Sequence, residues 1–336
     1  SVADAVVGVL GLHAGRPGES YEGEDWDREE LLLPWVQQQL LEAVAAAARA
    51  PITLVLLSGS ALDVGWALSS PNVGAVLQSW YGGQAGGEAI AQILTGEAAP
   101  SGRLPITLYR SDGFLKRRPH ITDMSLTAGG GVTDGYDTVP PLRPFGFGHS
   151  TTAWSLELAS GATPSSLNIS TATLAAAVEA YYESGGNETA FEVRLRVQNV
   201  GDTASALSVL AFARSLGTEP DAPVQALAGF TRLPTTQANG LAMASIGVLP
   251  TAFVLTDAAG TMSVRPGRFE LRVGDHVDGA QPITLTVTLH GPRVTVFQWE
   301  APPPPAPLPT RPPAPPPHGA PTAALSVVTC AQLNTT

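Results

Sequence analysis

Cysteine, basic charge and long apolar runs are scarce in this chain. Of 336 residues only Cys330 is a cysteine. No disulfide framework can form within the chain, so Cys330 is read as a spare thiol, with pairing to another chain as the second option. Lys and Arg number 18 against 29 Asp and Glu, a formal net charge of −11. Nucleic-acid binding draws on clustered cations. The one basic cluster, Lys116-Arg117-Arg118, reads as a solvated loop. No apolar run reaches the roughly 18 residues of a membrane span. The six histidines show no metal-ligand spacing, and neither a nucleophile elbow nor a phosphate loop is present. No metal site, no cofactor, no nucleic acid and no membrane span are therefore expected.

Ser1 to Leu12 is apolar but broken by Asp4 and lacks a basic leader. It reads as a strand entered abruptly rather than a signal peptide, so the chain is expected to begin partway into a longer polypeptide or to be a processed fragment. Asn168-Ile169-Ser170, Asn187-Glu188-Thr189 and Asn334-Thr335-Thr336 are glycosylation sequons. With the low lysine content and a proline-rich end, they point to a secreted or extracellular glycoprotein, of the cell wall or cell surface.

Four domain-level segments are expected. Residues 1–110 alternate strand and helix signals: strands at Val6–Leu12, Ile52–Ser58, Val73–Ser79 and Leu104–Leu108, helices at Glu29–Arg49 and Gly86–Leu94, and a helical turn in Asp63–Ser69. Short β-branched runs of this kind are buried on both faces. The pattern predicts an α/β sandwich, a mainly parallel sheet with helices on both faces. Residues 111–150 read as an irregular connection. Residues 151–300 carry alternating runs at Phe191–Val197, Leu207–Arg214, Thr251–Thr256, Arg268–Val273, Ile283–Leu289 and Val294–Trp299, which predict an all-β sandwich of immunoglobulin or fibronectin III-like type. Residues 301–336 form a Pro-rich tail, expected to be extended polyproline II over 301–317.

The chemistry-bearing residues lie in Gly23-Glu24-Asp25-Trp26-Asp27-Arg28, between the first strand and the following helix. Acidic loops at the carboxyl end of parallel strands are where α/β sheets place chemistry. On the residues alone, Glu19, Glu22, Glu24 and Asp25 read more readily as a solvated loop. Asp27 with Glu30 has the spacing of a helix-capping box. Arg28 reads as the partner of a loop carboxylate.

The order of motifs resembles the C-terminal half of glycoside hydrolase family 3, most closely its plant-type β-xylosidase and α-arabinofuranosidase branch. The landmarks are the acidic loop with Leu31-Leu32-Leu33-Pro34, Val55 to Gly59, Asp63-Val64, Trp80-Tyr81-Gly82-Gly83-Gln84-Ala85-Gly86-Gly87, Pro100 to Pro105, Thr122-Asp123-Met124 and Pro144-Phe145-Gly146-Phe147-Gly148. Val197 to Asp202, Ala228-Gly229-Phe230 and Phe269 to Gly274 are similar to its fibronectin type III-like module. Asp134 to Thr138 departs from the family pattern. The resemblance implies a retaining exo-glycosidase acting on xylan or arabinoxylan-type oligosaccharides. It also implies an N-terminal TIM-like barrel, on the same precursor or a second chain, which bears an aspartate nucleophile absent from these residues. Retaining hydrolysis uses two carboxyls about 5–5.5 Å apart, and the acid must hold its proton through a raised pKa. Glu24 fits the general acid/base position of the resembling loop, with Glu22 as runner-up. Trp80, Tyr81 and His13 are candidate substrate contacts, with packing the more ordinary role for the two aromatics. The chain alone is expected to be inactive. A second reading makes it a non-catalytic structural or carbohydrate-binding module of an extracellular glycoprotein.

Overall fold

The computed structural model describes residues 4–14, 21–22, 28, 30–117, 120, 122–123, 125–131, 133–161, 163–217, 219 and 222–298. The Pro-rich segment and Asn334 lie outside them. The first part is built from β1 (Val7–Gly11), β2 (His13–Ala14), β3 (Tyr21–Glu22), α1 (Trp35–Ala47), β4 (Ile52–Leu57), α2 (Gly65–Ser69), β5 (Val73–Gln78), α3 (Gly86–Thr95) and α4 (Ser111–Arg117). β1, β4 and β5 form a parallel sheet in the order β1-β4-β5. Central β4 explains its unbroken apolar run: Ile52, Leu54, Val55 and Leu56 are all buried, pointing alternately to both faces. One face packs Leu10, Ile52, Leu54 and Leu56 against Leu41 and Ala45 of α1 and Ala67 of α2. The other face is only partly covered. Val7 and Val9 stand 44% and 55% exposed there, and α3 buries none of its residues. The expected helices on both faces are thus realised fully on one.

Two expectations in this part need correction. The first helix starts at Trp35, not Glu29, with Pro34 at its N-cap in extended conformation. Proline disfavours helix in the residue before it, so Leu31–Leu33 stay extended and Leu32 bridges Asp63. Asp27 and Glu30 therefore do not cap this helix. Leu104–Leu108 is not a sheet strand. It pairs instead with the strap at 142–147, through Leu104 N to Phe147 O at 2.8 Å and a single bridge between Leu108 and Arg143. Pro105 lacks the donor a sheet ladder needs. The end of α3 agrees with the sequence, since Gly96 caps it at φ 79°.

The second part comprises β6 (Trp154–Leu158), β7 (Ser166–Ser170), α5 (Thr171–Glu183), β8 (Phe191–Asn199), β9 (Ser205–Ser215), β10 (Ala226–Thr236), β11 (Leu241–Val248), β12 (Val254–Thr256), β13 (Thr261–Val264), β14 (Gly267–Val273), β15 (Ile283–His290) and β16 (Val294–Gln298). A five-stranded sheet, β10-β9-β14-β15-β7, and a three-stranded sheet, β11-β8-β6, enclose one core. Val193, Leu195, Val209, Leu271 and Leu285 are fully buried in it. This part is not all β. Ala-rich α5, capped where Ser170 Oγ accepts from Thr173 N at 3.0 Å, buries Leu174, Ala175 and Val178 in the same core. Half of the strand expected at Thr251–Thr256 is a 3-10 turn at Pro250–Phe253, because proline cannot donate to a ladder.

Residues 101–103 and 145–149 pack against β9, β10 and the turn that follows β14. Phe145 meets Phe212 edge-on at 5.9 Å. Gly146 sits at φ 82°, where a Cβ would lie 3.2 Å from Leu210 and Phe212. Arg103 donates to the carbonyls of Gly148, His276 and Ser208. Arg232 reaches Ser101. Phe147 is held between His149 and His276, with the Arg143 guanidinium 4.9 Å over its ring. Asp278 accepts from Ser150 N at 2.6 Å and contacts His149 at 2.6 Å. The two parts are therefore packed into one unit, Ser1–Gln298.

Candidate functional site

The carboxyl ends of β1, β4 and β5 gather the residues that flank the acidic segment. β1 ends at Gly11, whose φ of 154° brings it so close to β4 that a Cβ would fall 1.8 Å from Leu57 O. Only glycine fits this approach. Leu12 N donates to Leu57 O at 2.8 Å. His13 follows, paired in register with Tyr21, while Ala14 pairs with Glu22. The runner-up Glu22 is thus placed by its backbone in β3. Glu24, Asp25, Trp26 and Asp27 lie outside the described residues.

On the return side the chain is tied down by named bonds. Arg28 Nη2 donates to Ala61 O at 2.7 Å. Leu31 N donates to Ser111 Oγ at 3.0 Å. Asp63 N donates to Leu31 O, and its two carboxylate oxygens accept from Gly65 N and Ser111 N, each at 2.8 Å. Asp63 therefore joins the return strand, α2 and α4 at one point. Behind β4, Gln78 Nε2 donates to the buried Ser58 Oγ at 3.0 Å.

Trp80 and Tyr81 follow β5. Trp80 holds the left-handed region at φ 55°, a conformation uncommon for a bulky residue. It lines a cleft of about 780 Å³ that wraps edge strand β5, with Leu77, Ile93, Leu104 and Phe147 as further walls. Tyr81 is 48% exposed. His13 is exposed at the end of β1. Two of the three aromatic candidates are thus adjacent beside β5, and His13 belongs to the β1 end. The glycines after them form a tight turn, since a Cβ on Gly82 would lie 2.8 Å from Gly86 Cα. Among the described residues no group of three or more His, Cys, Asp or Glu is placed to hold a metal, and no helix is long and apolar enough to cross a membrane.

Sequence reasoning passed over Gln37 and Ser111. Gln37 sits on α1 and closes both amide atoms on Gly11. Nothing distinguishes it in sequence from Gln38 and Gln39 beside it. Of the sequon residues, Asn168 is exposed on β7 and Asn187 is exposed beyond α5, its Nδ2 donating to Ser184 O at 2.8 Å.

The family model described as glycosyl hydrolase family 3 C-terminal domain matches residues 1–152. Beta-D-xylosidase 1 of Arabidopsis thaliana is 44% identical over 47% of this chain and 20% of its own length. Probable beta-D-xylosidase 7 of the same plant is 32% identical over 81% of this chain and 36% of its own. Among solved structures, a GH3 exo-β-xylosidase (XlnD) in complex with a xylobiose aziridine probe superposes with a TM-score of 0.76 at 25% identity, over 89% of this chain and 38% of that one. The chain thus spans well under half the length of these relatives. Its landmark order, its parallel sheet and these likenesses agree: the chain belongs to glycosyl hydrolase family 3, as a xylosidase-like C-terminal half.

Proposed function

We propose that this chain is the C-terminal portion of a secreted, retaining exo-glycosidase of β-xylosidase type. In this reading the sheet of β1, β4 and β5 presents Glu24 as general acid/base, and a separate barrel, on the same precursor or a second chain, supplies the aspartate nucleophile. The substrate class is the non-reducing end of xylan or arabinoxylan-type oligosaccharides. The 1–110 part is the α/β sandwich domain, 111–150 the connection, 151–300 a fibronectin type III-like module and 301–336 an extended tail. Asn168, Asn187 and Asn334 are the glycan acceptors. Trp80, Tyr81 and His13 face the sugar or the barrel.

The observation that carries the reading is the construction of the strand ends. At the carboxyl edge of a parallel sheet Gly11 is held on one side, and Arg28, Asp63 and Ser111 on the other, and the acidic residues lie between Gly11 and Arg28 in sequence. Fixed ends of this kind are what a proton donor shared between domains requires. The second support is the open face bearing Val7 and Val9, an apolar surface suited to a neighbouring domain.

The test is hydrolysis of an aryl β-xyloside by this chain alone and by the protein that includes the barrel. The chain alone is expected to be inactive and the barrel-bearing protein active. Equal inactivity of both overturns the enzymatic reading in favour of a binding or structural module.

A further inference from the structure

β1 is an edge strand in the described sheet. In a parallel pair, alternate residues turn their backbone groups towards the neighbour. Val6 O and Leu12 N bond to β4, so the N–H and C=O of Gly11 point the other way, where no strand of the sheet stands. Both are nevertheless paired. Gln37 Oε1 accepts from Gly11 N at 2.8 Å, and Gln37 Nε2 donates to Gly11 O at 2.8 Å. One side-chain amide thus replaces an edge strand for one residue. A primary amide is the side-chain group that offers a donor and an acceptor side by side at neutral pH. Asparagine carries it on a shorter stem. The clamp is part-buried, where unpaired backbone groups are costly.

The location is what gives the clamp consequence. Gly11 is already pressed onto Leu57 on its other side. The Gly11 peptide is thus contacted by Leu57 on one side and by Gln37 on the other. His13 stands two residues on, and the acidic residues follow in sequence after β3. The return side is held separately by Arg28, Asp63 and Ser111. We propose that Gln37 is a positioning residue: it fixes the end of β1, and through it the direction from which the proposed acid/base segment leaves the sheet. The inference rests on the glycosidase reading, and it places the control of that carboxyl's reach on a helix residue remote from any sugar.

Two variants test it. In Gln37→Leu both Gly11 groups lose their partner. In Gln37→Glu the ionised carboxylate accepts from Gly11 N but repels Gly11 O, whereas the protonated carboxyl restores donor and acceptor. In this chain, amide hydrogen exchange over residues 8–14 is expected to rise at least tenfold in Gln37→Leu. Gln37→Glu is expected to be equally unprotected at pH 7 and to regain protection as the pH falls towards the ordinary glutamate value of about 4.3. Exchange over 191–199 and 267–273 stays at wild-type rates in both. In the barrel-bearing protein, Gln37→Leu is expected to lower kcat about tenfold or more with KM unchanged, since misplacement of a catalytic group acts on the chemical step. Gln37→Glu is expected to recover relative kcat as the pH falls. Unchanged exchange at 8–14, or lost protection without any fall in kcat, overturns the positioning role. Inactive wild-type barrel-bearing protein overturns the glycosidase reading and the catalytic part of this inference with it, while the exchange result still decides whether the clamp exists.

Discussion

The two halves of the molecule bury their apolar residues to different degrees. From β6 onward, three sheets and α5 close around a core whose central side chains, Val193, Val197, Leu271 and Val287 among them, have no exposure at all. In the sheet of β1, β4 and β5, only one face is closed comparably. The opposite face leaves Val7 and Val9 open, α3 buries nothing, and α1 turns Trp35, Val36 and Leu40 outward, each more than half exposed. Open apolar residues on both sides of the α/β layer are surfaces suited to being covered. The β part reads as self-sufficient, whereas the α/β part keeps apolar surface open.

The comparison breaks most readily at Gly11. Alanine there would place a Cβ 1.8 Å from Leu57 O. Gly11→Ala is expected to cost more than about 3 kcal/mol, with loss of protection across β1 and β4 and retained protection across β8, β9 and β14, read by hydrogen exchange. Uniform loss across both halves would show that the β part does not stand by itself.

A cavity in the β core comes next. Leu271→Ala removes a fully buried side chain and is expected to cost about 2–5 kcal/mol in denaturant unfolding. A cost below 1 kcal/mol would mean that the core is looser than its burial indicates.

The joint between the halves is expected to respond to pH. Burial first, then Arg103, Arg272 and His149, hold the His276 imidazole below its usual value, against the pull of Asp275. The contribution is full above about pH 6.5 and is lost as pH falls through the lower folded value. Relative to His276→Asn, which suits the left-handed φ of 60°, the wild type is expected to lose Tm on going from pH 7.5 to 5. Parallel Tm curves for the two proteins would remove His276 from the joint's pH response.

The smallest effect is expected on the open surface. Val36→Lys and Leu40→Lys change exposed side chains, so each is expected to move the stability of this chain by no more than about 0.5 kcal/mol, while weakening association with a covering domain. A large loss of stability in the isolated chain would show that this surface is already engaged.

Much of this was legible in sequence. β4 read clearly because a central parallel strand is apolar on both faces, and β8, β9, β14 and β15 because their inward residues alternate. α5 was missed although its composition is helical, because the strands on either side set the expectation for the whole region. The helix expected from Glu29 starts at Trp35 because Pro34 restricts Leu33 to extended backbone. In the site, Gly11 and Asp63 lay within recognisable runs, whereas Gln37 acts through a contact 26 residues distant in sequence, which no local pattern reports.

The central claim is that this segment carries the proton donor of a glycosidase. Its most direct test is Glu24→Gln in the barrel-bearing protein, with hydrolysis of xylobiose compared with that of an aryl xyloside whose leaving group needs no proton. The expected result is a fall of at least about 10²-fold in kcat for xylobiose, with a much smaller effect on the activated substrate. Undiminished xylobiose turnover would contradict the account.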